Sequence, residues 1–278
     1  TSQPGGRQDL CEIMARVSTD GGTSFGPPRR VGDFRGIFVR QPPRIGPQGE
    51  WLLPGFHCVT PAAGRWTGDD DLAVMLISRD AGATWTAAYV PDSLGAVHMN
   101  PVAPHKGVMP AFYRDRFAEH VRRSLSNDGG LTWTAPQPTD LPNNNSSVQA
   151  IRLHDGRIAM VLNPVNAAMS DARRASLYDE IEGDETPAQA QAARPARQAI
   201  WGVPRAPLTL ALSEDDGATF PQRIELDTGS GLALTNNSKD GLNRELSYPS
   251  ILQDPQGRLH IAYTYHRRAI RYLRLDGV

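Results

Sequence analysis

The side chains of this sequence that can bind anions or move protons are its arginines and a few histidines. Lys106 and Lys239 are the only lysines among 29 basic residues, so the others are arginine. A planar guanidinium binds a carboxylate through two parallel hydrogen bonds, which an ammonium group cannot do. An arginine bias also follows from genomic base composition, so the count alone does not decide between anion recognition and chance.

Two histidines stand in sequence contexts that favour a place in a binding site. His98 lies in the segment Val97-His98-Met99-Asn100-Pro101, and His266 directly precedes Arg267 and Arg268. A neutral imidazole can accept or donate a proton near pH 7. A single histidine is more often a structural hydrogen-bonding group, so both interpretations stay open for these two residues.

Several other kinds of site are not predicted. No His/Cys/Asp spacing is typical of structural zinc, and no glycine-rich phosphate loop or nucleophile-elbow serine occurs. The run Asp69-Asp70-Asp71 is interpreted as a solvated acidic turn rather than a calcium site. We therefore expect no metal and no cofactor. A net charge of −1 argues against a nucleic-acid partner.

The composition places these side chains on an all-β scaffold. The chain has 278 residues, of which 26 are glycine and 23 are proline, a load that helix-rich proteins seldom carry. No apolar run reaches the 18 residues of a membrane-spanning helix. The two cysteines, Cys11 and Cys58, exclude a disulfide framework. The sequence does not determine the oligomeric state or the compartment, so a bacterial cytoplasmic, periplasmic or secreted location stays open.

An internal repeat predicts the fold more sharply than the composition does. The pattern S-x-D-x-G-x-[TS]-[WF] occurs four times, at Ser18–Phe25, Ser78–Trp85, Ser126–Trp133 and Ser213–Phe220. Ser and Asp side chains can hydrogen-bond nearby backbone N–H groups, and the glycine supplies a positive φ. The aromatic residue then packs as an anchor. Each copy is therefore predicted to be a hairpin loop between two strands.

The spacing of the copies indicates the blades of a propeller. Two copies are preceded by short apolar runs, Leu72–Ile77 and Leu208–Leu212. Such runs are typical of buried strands. The copies begin 60, 48 and 87 residues apart. A four-stranded blade takes about 40–50 residues, which the middle spacing fits. The longest spacing contains a stretch at about 166–203 that we interpret as an insertion. One β-propeller domain over residues 1–278 is the prediction.

Further motifs carry a family resemblance. With the four boxes, the chain resembles the bacterial sialidase-like family of BNR, or Asp-box, repeats, whose neuraminidase-type domains are six-bladed β-propellers. Four segments are similar to the family motifs L-P-N-P-N-S-G, R-x-P-L, E-x-S-Y-P and T-Y-T-x-R-R-x-I: Leu141–Ser147, Arg205–Leu208, Glu245–Pro249 and Tyr263–Ile270. The resemblance implies a six-bladed propeller that is incomplete at the N-terminus, because the first box follows a presumed third strand, Cys11–Val17.

The resemblance also implies a set of site residues. Tyr248 matches the position of the family's tyrosine nucleophile, and Arg205 and Arg114 match arginines that bind the sugar carboxylate. Arg40 is a third candidate for the carboxylate. Glu245 is a weaker candidate for the base of Tyr248. The acid/base aspartate of the family is not assigned to any residue. His98, His266 and Arg267 are predicted to bind substrate.

Three functions are compatible with this sequence. The first is an exo-α-sialidase type of glycosidase that acts on a terminal acidic sugar. The second is a polysaccharide lyase directed at uronic acids, in which arginine neutralises the carboxylate and Tyr or His moves the proton. The third is a non-catalytic glycan-binding propeller. All three predict a carbohydrate partner, and the first is the function we expect.

Overall fold

The computed structural model describes residues 8–62, 66–173, 197–231 and 244–277, and in these residues the regular secondary structure is almost entirely β-strand. Two 3₁₀ turns cover Gln8–Leu10 and Ala167–Met169. The strands are β1 (Met14–Ala15), β2 (Arg29–Arg30), β3 (Ile37–Val39), β4 (Arg44–Ile45), β5 (Trp51–His57), β6 (Leu72–Ser78), β7 (Thr86–Tyr89), β8 (Ala96–Pro101), β9 (Met109–Asp115), β10 (His120–Ser126), β11 (Gln137–Pro142), β12 (Gln149–Arg152), β13 (Ile158–Leu162), β14 (Leu208–Ser213), β15 (Gln222–Asp227), β16 (Leu246–Gln253), β17 (Leu259–Tyr265) and β18 (Ala269–Leu275).

The strands form a hairpin and four antiparallel sheets that follow one another along the chain. The hairpin is β1–β2, sheet A is β3-β5-β6-β7 with β4 also paired to β5, and sheet B is β8-β9-β10-β11. Sheet C is β12-β13-β14-β15, and sheet D is β16-β17-β18. Neighbouring strands are also neighbours in sequence, as in propeller blades. The all-β expectation is confirmed, whereas the described residues form four blade-like sheets and a hairpin, so a count of six is not confirmed.

Each box joins the third and fourth strands of a sheet. In the loop between β10 and β11, Ser126 Oγ donates to Asp128 Oδ1 at 2.8 Å and accepts from the backbone N–H of Gly130 at 2.8 Å. Asp128 Oδ1 also accepts from the N–H of Thr132 at 3.0 Å. The predicted hairpin loop is therefore confirmed. The first box lies between β1 and β2 in the same way, so this hairpin corresponds to the outer half of a sheet.

The core lies between consecutive sheets rather than in one central mass. Ile13 and Val31, beside the hairpin, pack against Leu53 and Val74 of sheet A. Separate apolar clusters join sheets A and B, B and C, and C and D in turn. The middle sheets are covered on both faces, which explains the uninterrupted apolar runs of β6 and β14. This face-to-face series is a propeller-like arrangement.

The predicted insertion is only partly covered by the described residues. Residues 174–196 lie outside them, while Trp201, near the end of the insertion, is buried against Trp66 in the body of the protein. The insertion at about 166–203 therefore stays a prediction. In the described part of the chain, no helix has the length and apolar character of a membrane span.

Candidate active site

Tyr248 lies at an irregularity in β16, the first strand of sheet D. The register of β16 against β17 shifts between Ser247 and Ser250, and Tyr248 has a φ of +52°. Such a backbone conformation is uncommon outside glycine and indicates a local constraint, often at a functional site. The residue keeps 40% of its surface exposed although its neighbours Ser247 and Pro249 are buried. Its side chain is therefore presented to solvent from an ordered strand.

Three predicted arginines surround Tyr248. The guanidinium carbons of Arg205 and Arg40 lie 5.6 Å and 5.8 Å from the centroid of the Tyr248 ring. Arg114 lies close enough to Tyr248 to lower the pKa of its phenol. The four residues come from four sheets: Arg40 follows β3, Arg114 is in β9, Arg205 precedes β14, and Tyr248 is in β16. The structure thus brings these side chains together where the four sheets converge.

The cluster lies at the end of the sheets opposite to the end that carries the boxes. Arg114 is near the end of a second strand and Arg205 comes shortly before a third strand, whereas the boxes join third to fourth strands. Because successive strands are antiparallel, the connections between second and third strands lie at the opposite end of the sheet from those between third and fourth strands. Arg205 lies in the connection before β14 and forms an isolated parallel bridge with Glu245.

Arg40 and Arg114 are held by neutral acceptors. Arg40 donates to Gln149 Oε1 and to the carbonyl oxygen of Pro249, each at 2.9 Å, and so reaches from sheet A to sheets C and D. Arg114 Nε donates to Asn145 Oδ1 at 2.6 Å. Burial, together with the charge of Arg116, lowers the pKa of Arg114 to about 9, which still leaves the group charged at neutral pH. Burial also lowers the pKa of Arg40.

Arg205 and Arg267 share one buried carboxylate. Glu245 Oε1 accepts from Arg205 Nη1 at 2.9 Å and from Ser247 Oγ at 2.7 Å, and Oε2 accepts from Arg267 Nε at 2.9 Å. Burial opposes ionisation, but Arg205 and Arg267 hold the pKa of Glu245 at about 2. Glu245 is thus a permanent anion at neutral pH. Arg267 belongs to the cluster through this carboxylate rather than by contact with Tyr248.

The arginines change the acidity of Tyr248. Burial by itself raises the pKa of the phenol, but the charges of Arg205 and Arg114 lower it to about 8. The negative charge of Glu245 acts in the opposite direction. A tyrosine that ionises two pH units below its ordinary value is a stronger candidate for nucleophilic or proton-transfer chemistry.

The structure separates the two predicted histidines. His98 lies beside Tyr248, with 6.4 Å between the ring centroids, and Nδ1 is 3.0 Å from Ser147 Oγ. His266 is buried to 1% exposure, and its ring packs on Tyr265 at 4.3 Å between centroids. Its backbone N–H donates to the carbonyl oxygen of Glu245. His98 therefore joins the cluster, whereas His266 packs behind the carboxylate.

Asn145 and Ser147, in the buried segment Asn143–Ser147, contact the cluster, and the sequence analysis quoted this segment only as a family motif. All five side chains are buried. Asn145 Oδ1 accepts from Arg114, and its Nδ2 donates to the carbonyl oxygen of Ile200 at 2.8 Å, so it ties the arginine to the segment that carries Trp201. The signal in the sequence was the unbroken run of small polar residues, which is unusual for a buried segment.

The acidic turn is not a uniformly solvated loop. Asp71 is fully buried, accepting from Arg116 Nε at 2.9 Å and Trp66 Nε1 at 2.8 Å. The prediction of a solvated turn is thus wrong for Asp71. Burial, together with the charges of Asp69 and Asp71, raises the pKa of Asp70. Among the described residues, no group of three His, Cys, Asp or Glu side chains could hold a metal ion.

Comparison with known proteins agrees with this fold. A family model described as a BNR repeat-like domain matches residues 1–261. No curated protein matches the chain. The solved structure of the Hadza microbial sialidase Hz136 is similar with a TM-score of 0.61 at 16% identity, over 95% of this chain and 44% of that one. For NanB sialidase from Streptococcus pneumoniae the values are 0.60, 14%, 95% and 36%.

The leech intramolecular trans-sialidase is similar to the same degree, with a TM-score of 0.59 at 15% identity, over 95% of this chain and 36% of that one. The chain thus spans less than half the length of these three structures. At such low identity the similarity establishes a sialidase-like fold, in agreement with the boxes and the successive sheets. With the family model matching nearly the whole sequence, the chain belongs to the BNR repeat-like domain family and has a sialidase-like propeller fold.

Proposed function

We propose that this protein is a sialidase-type glycoside hydrolase that acts on a terminal acidic sugar. The observation that carries the proposal is the pair of guanidinium groups beside Tyr248, that of half-buried Arg40 and that of buried Arg114, which are paired only with neutral acceptors in the described structure. The complete propeller is proposed to have six blades. The hairpin β1–β2 supports a fifth blade, because its box occupies the same place as the boxes of sheets A to C, and the sixth is proposed from the family resemblance.

The charge balance of the cluster favours an anionic ligand. Among the described residues, the three arginines around Tyr248, Arg40, Arg114 and Arg205, are accompanied by one carboxylate, that of Glu245, which is paired with Arg205. A buried positive charge without a counter-ion is costly, so a carboxylate that enters here replaces an unfavourable state with paired, charge-assisted hydrogen bonds. The sugar carboxylate is proposed to bind between Arg40 and Arg114, the two groups that Glu245 does not neutralise.

Tyr248 is proposed as the nucleophile. With a pKa of about 8, roughly a tenth of the phenol is ionised at pH 7, against about a thousandth at the ordinary value. Sialidases are the glycosidases that use tyrosine in place of a carboxylate nucleophile. Glu245 makes no hydrogen bond with Tyr248 among the described residues and is proposed to tune its acidity instead of accepting its proton.

Asp70 is proposed to protonate the leaving group. Glu245 is ionised at neutral pH and His98 is neutral, so neither is a suitable acid. Asp70 is the carboxyl group of the described residues whose pKa is raised. Its neighbour Asp69 accepts from the backbone N–H of Ala199 at 2.6 Å, two residues before Trp201, whose ring centroid lies 5.8 Å from the guanidinium carbon of Arg114. A carboxyl with a raised pKa carries its proton closer to neutral pH, which general acid catalysis requires.

A uronate lyase is the second candidate, and His98 favours it. A neutral imidazole beside an acidic tyrosine and a carboxylate-binding arginine pair is a combination that can remove the proton next to a carboxylate. A lyase forms an unsaturated product that absorbs in the near ultraviolet, whereas a hydrolase does not. The absorbance of the product therefore separates these two reactions.

The test is the release of a fluorescent leaving group from an α-sialoside. We expect turnover by the wild-type protein, a loss of more than about 10³-fold with Tyr248→Phe, and a comparable loss with Arg114→Gln. Arg223→Gln, which removes an arginine paired with Asp140 at the outer strand β15, is the matched control and should retain activity.

The outcomes separate the three functions. Absence of turnover, with an ultraviolet-absorbing product from a uronate polymer, would replace the hydrolase by the lyase. Absence of both reactions, with acidic-glycan binding that Arg114→Gln abolishes, would leave a binding propeller. Turnover unaffected by Tyr248→Phe would overturn the nucleophile assignment.

A further inference from the structure

His98 is held in an unusual backbone conformation by its strand. It lies in β8 with a φ of +56°, at the point where the pairing of β8 with β9 shifts between Val97 and Asn100. It is only 6% exposed. A strained residue that persists in a packed strand is over-determined by its surroundings, and such residues cluster at functional sites. The bulge thus turns the imidazole towards a fixed set of neighbours.

The neighbours of His98 keep its ring neutral. The rings of Phe56 and Tyr248 lie 5.1 Å and 6.4 Å from it, and the charged groups that act on it are all guanidinium groups: those of Arg114, Arg40, Arg116 and Arg205. Burial and these four charges hold the pKa of His98 well below its usual value. A neutral imidazole has one N–H and one lone pair, so its chemistry depends on which nitrogen carries the proton.

Ser147 can determine which ring nitrogen of His98 carries the proton. Its Oγ lies 3.0 Å from His98 Nδ1, and the serine is only 1% exposed. Ser147 also stands where the related family motif quoted above has glycine, so the turn itself does not require a hydroxyl group. The nearby guanidinium groups favour a lone pair on the nitrogen that faces them, because an N–H dipole pointing at positive charge is repelled.

We propose that Ser147 is a positioning residue that accepts a hydrogen bond from His98 Nδ1–H and thereby keeps the Nε2 lone pair available to a hydroxyl group of the bound sugar. His98 then recognises a donor on the sugar ring, while Arg40 and Arg114 bind the carboxylate. This inference rests on the proposed function only for the identity of the ligand. The tautomer of His98 is a property of the free protein.

The tautomer can be measured without substrate. In protein labelled with ¹⁵N in histidine, two-bond ¹H–¹⁵N correlation spectra distinguish a protonated from an unprotonated ring nitrogen. His98→Gln identifies the His98 signals among the seven histidines. We expect His98 to be neutral at pH 7 with the proton on Nδ1. A proton on Nε2 in the wild-type protein would overturn the proposal, and this result needs no folded variant.

Variants test the role of the hydroxyl group. Ser147→Ala is expected to move a substantial fraction of the His98 proton to Nε2, and Ser147→Thr is expected to restore Nδ1–H. Ser146→Ala is the matched control, because the buried Ser146 Oγ has no hydrogen-bond partner in the described structure. An unchanged tautomer in a folded Ser147→Ala protein would contradict the proposal.

Ligand affinity then separates this inference from the proposed function. If the acidic sugar binds, Ser147→Ala should weaken binding about five- to tenfold and Ser146→Ala should not, in line with one lost hydrogen bond. If the sugar does not bind wild-type protein, the proposed function fails while the tautomer of His98 is still decided by the spectra. Equal affinities of wild type and Ser147→Ala would overturn the recognition step.

Discussion

Arg205 and Glu245 are joined twice, once through side chains and once through the backbone. The guanidinium Nη1 donates to Glu245 Oε1 at 2.9 Å, and the N–H of Leu246 donates to the carbonyl oxygen of Arg205 at 2.8 Å. The ion pair and the backbone hydrogen bond together hold the start of sheet D, at Leu246, beside the segment that contains Arg205 and leads into β14. Tyr248 follows Glu245 by three residues, so the same contact places the phenol beside Arg205.

Removing the charge of Glu245 should make Tyr248 more acidic. The carboxylate raises the pKa of Tyr248, so Glu245→Gln, which keeps a hydrogen-bond acceptor, should move the phenol ionisation below its present value of about 8. The change is measured as phenolate absorbance against pH. Tyr248→Phe should abolish the step near pH 8 and so identifies it.

Glu225→Gln, at an exposed position of β15, is the charge-matched control and should leave the Tyr248 transition in place. A shift of the transition to higher pH in Glu245→Gln would mean that the carboxylate matters mainly by holding Arg205 against the phenol.

A negative charge at Asn145 should compete with the ligand. Asn145 accepts from Arg114 Nε through a neutral amide oxygen at a φ of +52°, which aspartate also tolerates. In Asn145→Asp the new carboxylate pairs with Arg114 and removes its attraction for the sugar. We expect acidic-sugar affinity to fall by about tenfold or more, measured by titration calorimetry.

Asn145→Gly serves as the comparison, because glycine accepts the same backbone conformation but adds no charge. Its affinity should fall less than that of Asn145→Asp. The same loss in both variants would show that orientation of Arg114 outweighs its charge.

The boxes should stabilise the fold less in acid, when their aspartates become protonated. The side-chain hydroxyl and backbone N–H of Thr132 and the Ser126 hydroxyl outweigh the effect of burial and hold the pKa of Asp128 at about 2, and the pKa of Asp215 is likewise lowered to about 2. A carboxyl group with a lowered folded-state pKa stabilises the fold fully above its unfolded pKa of about 3.9, and this contribution is lost as the pH falls through the folded value.

Asp128→Asn should accordingly destabilise the protein by roughly 1–3 kcal/mol at pH 7, measured by urea unfolding, and the difference should vanish near pH 2. Asp33→Asn, at a side chain that is 94% exposed, is the control and should change little. A constant difference between pH 2 and 7 would contradict the role of the ionised carboxylate.

The local parts of this protein follow from its sequence. The box at Ser126–Trp133 is specified within eight residues, because its serine and aspartate bond to backbone N–H groups no more than four residues away. The strand β6 follows from an apolar run that is covered on both faces. The family resemblance indicated Tyr248, Arg114 and Arg205 as site residues. That the two arginines lie beside the Tyr248 ring follows only from the placement of the sheets.

The partners of the site residues were decided by tertiary structure. Arg40 bonds to Gln149 and Pro249, which are 109 and 209 residues away, and His98 bonds to Ser147, 49 residues away. No local pattern encodes such pairs, because they depend on how far each sheet is rotated from the next. The sequence by itself determined the repeated blade unit and the kinds of side chain at its edges. Among the described residues, the packing of the four sheets decided which arginines surround Tyr248, and the charges of Arg205 and Arg114 lower the pKa of its phenol.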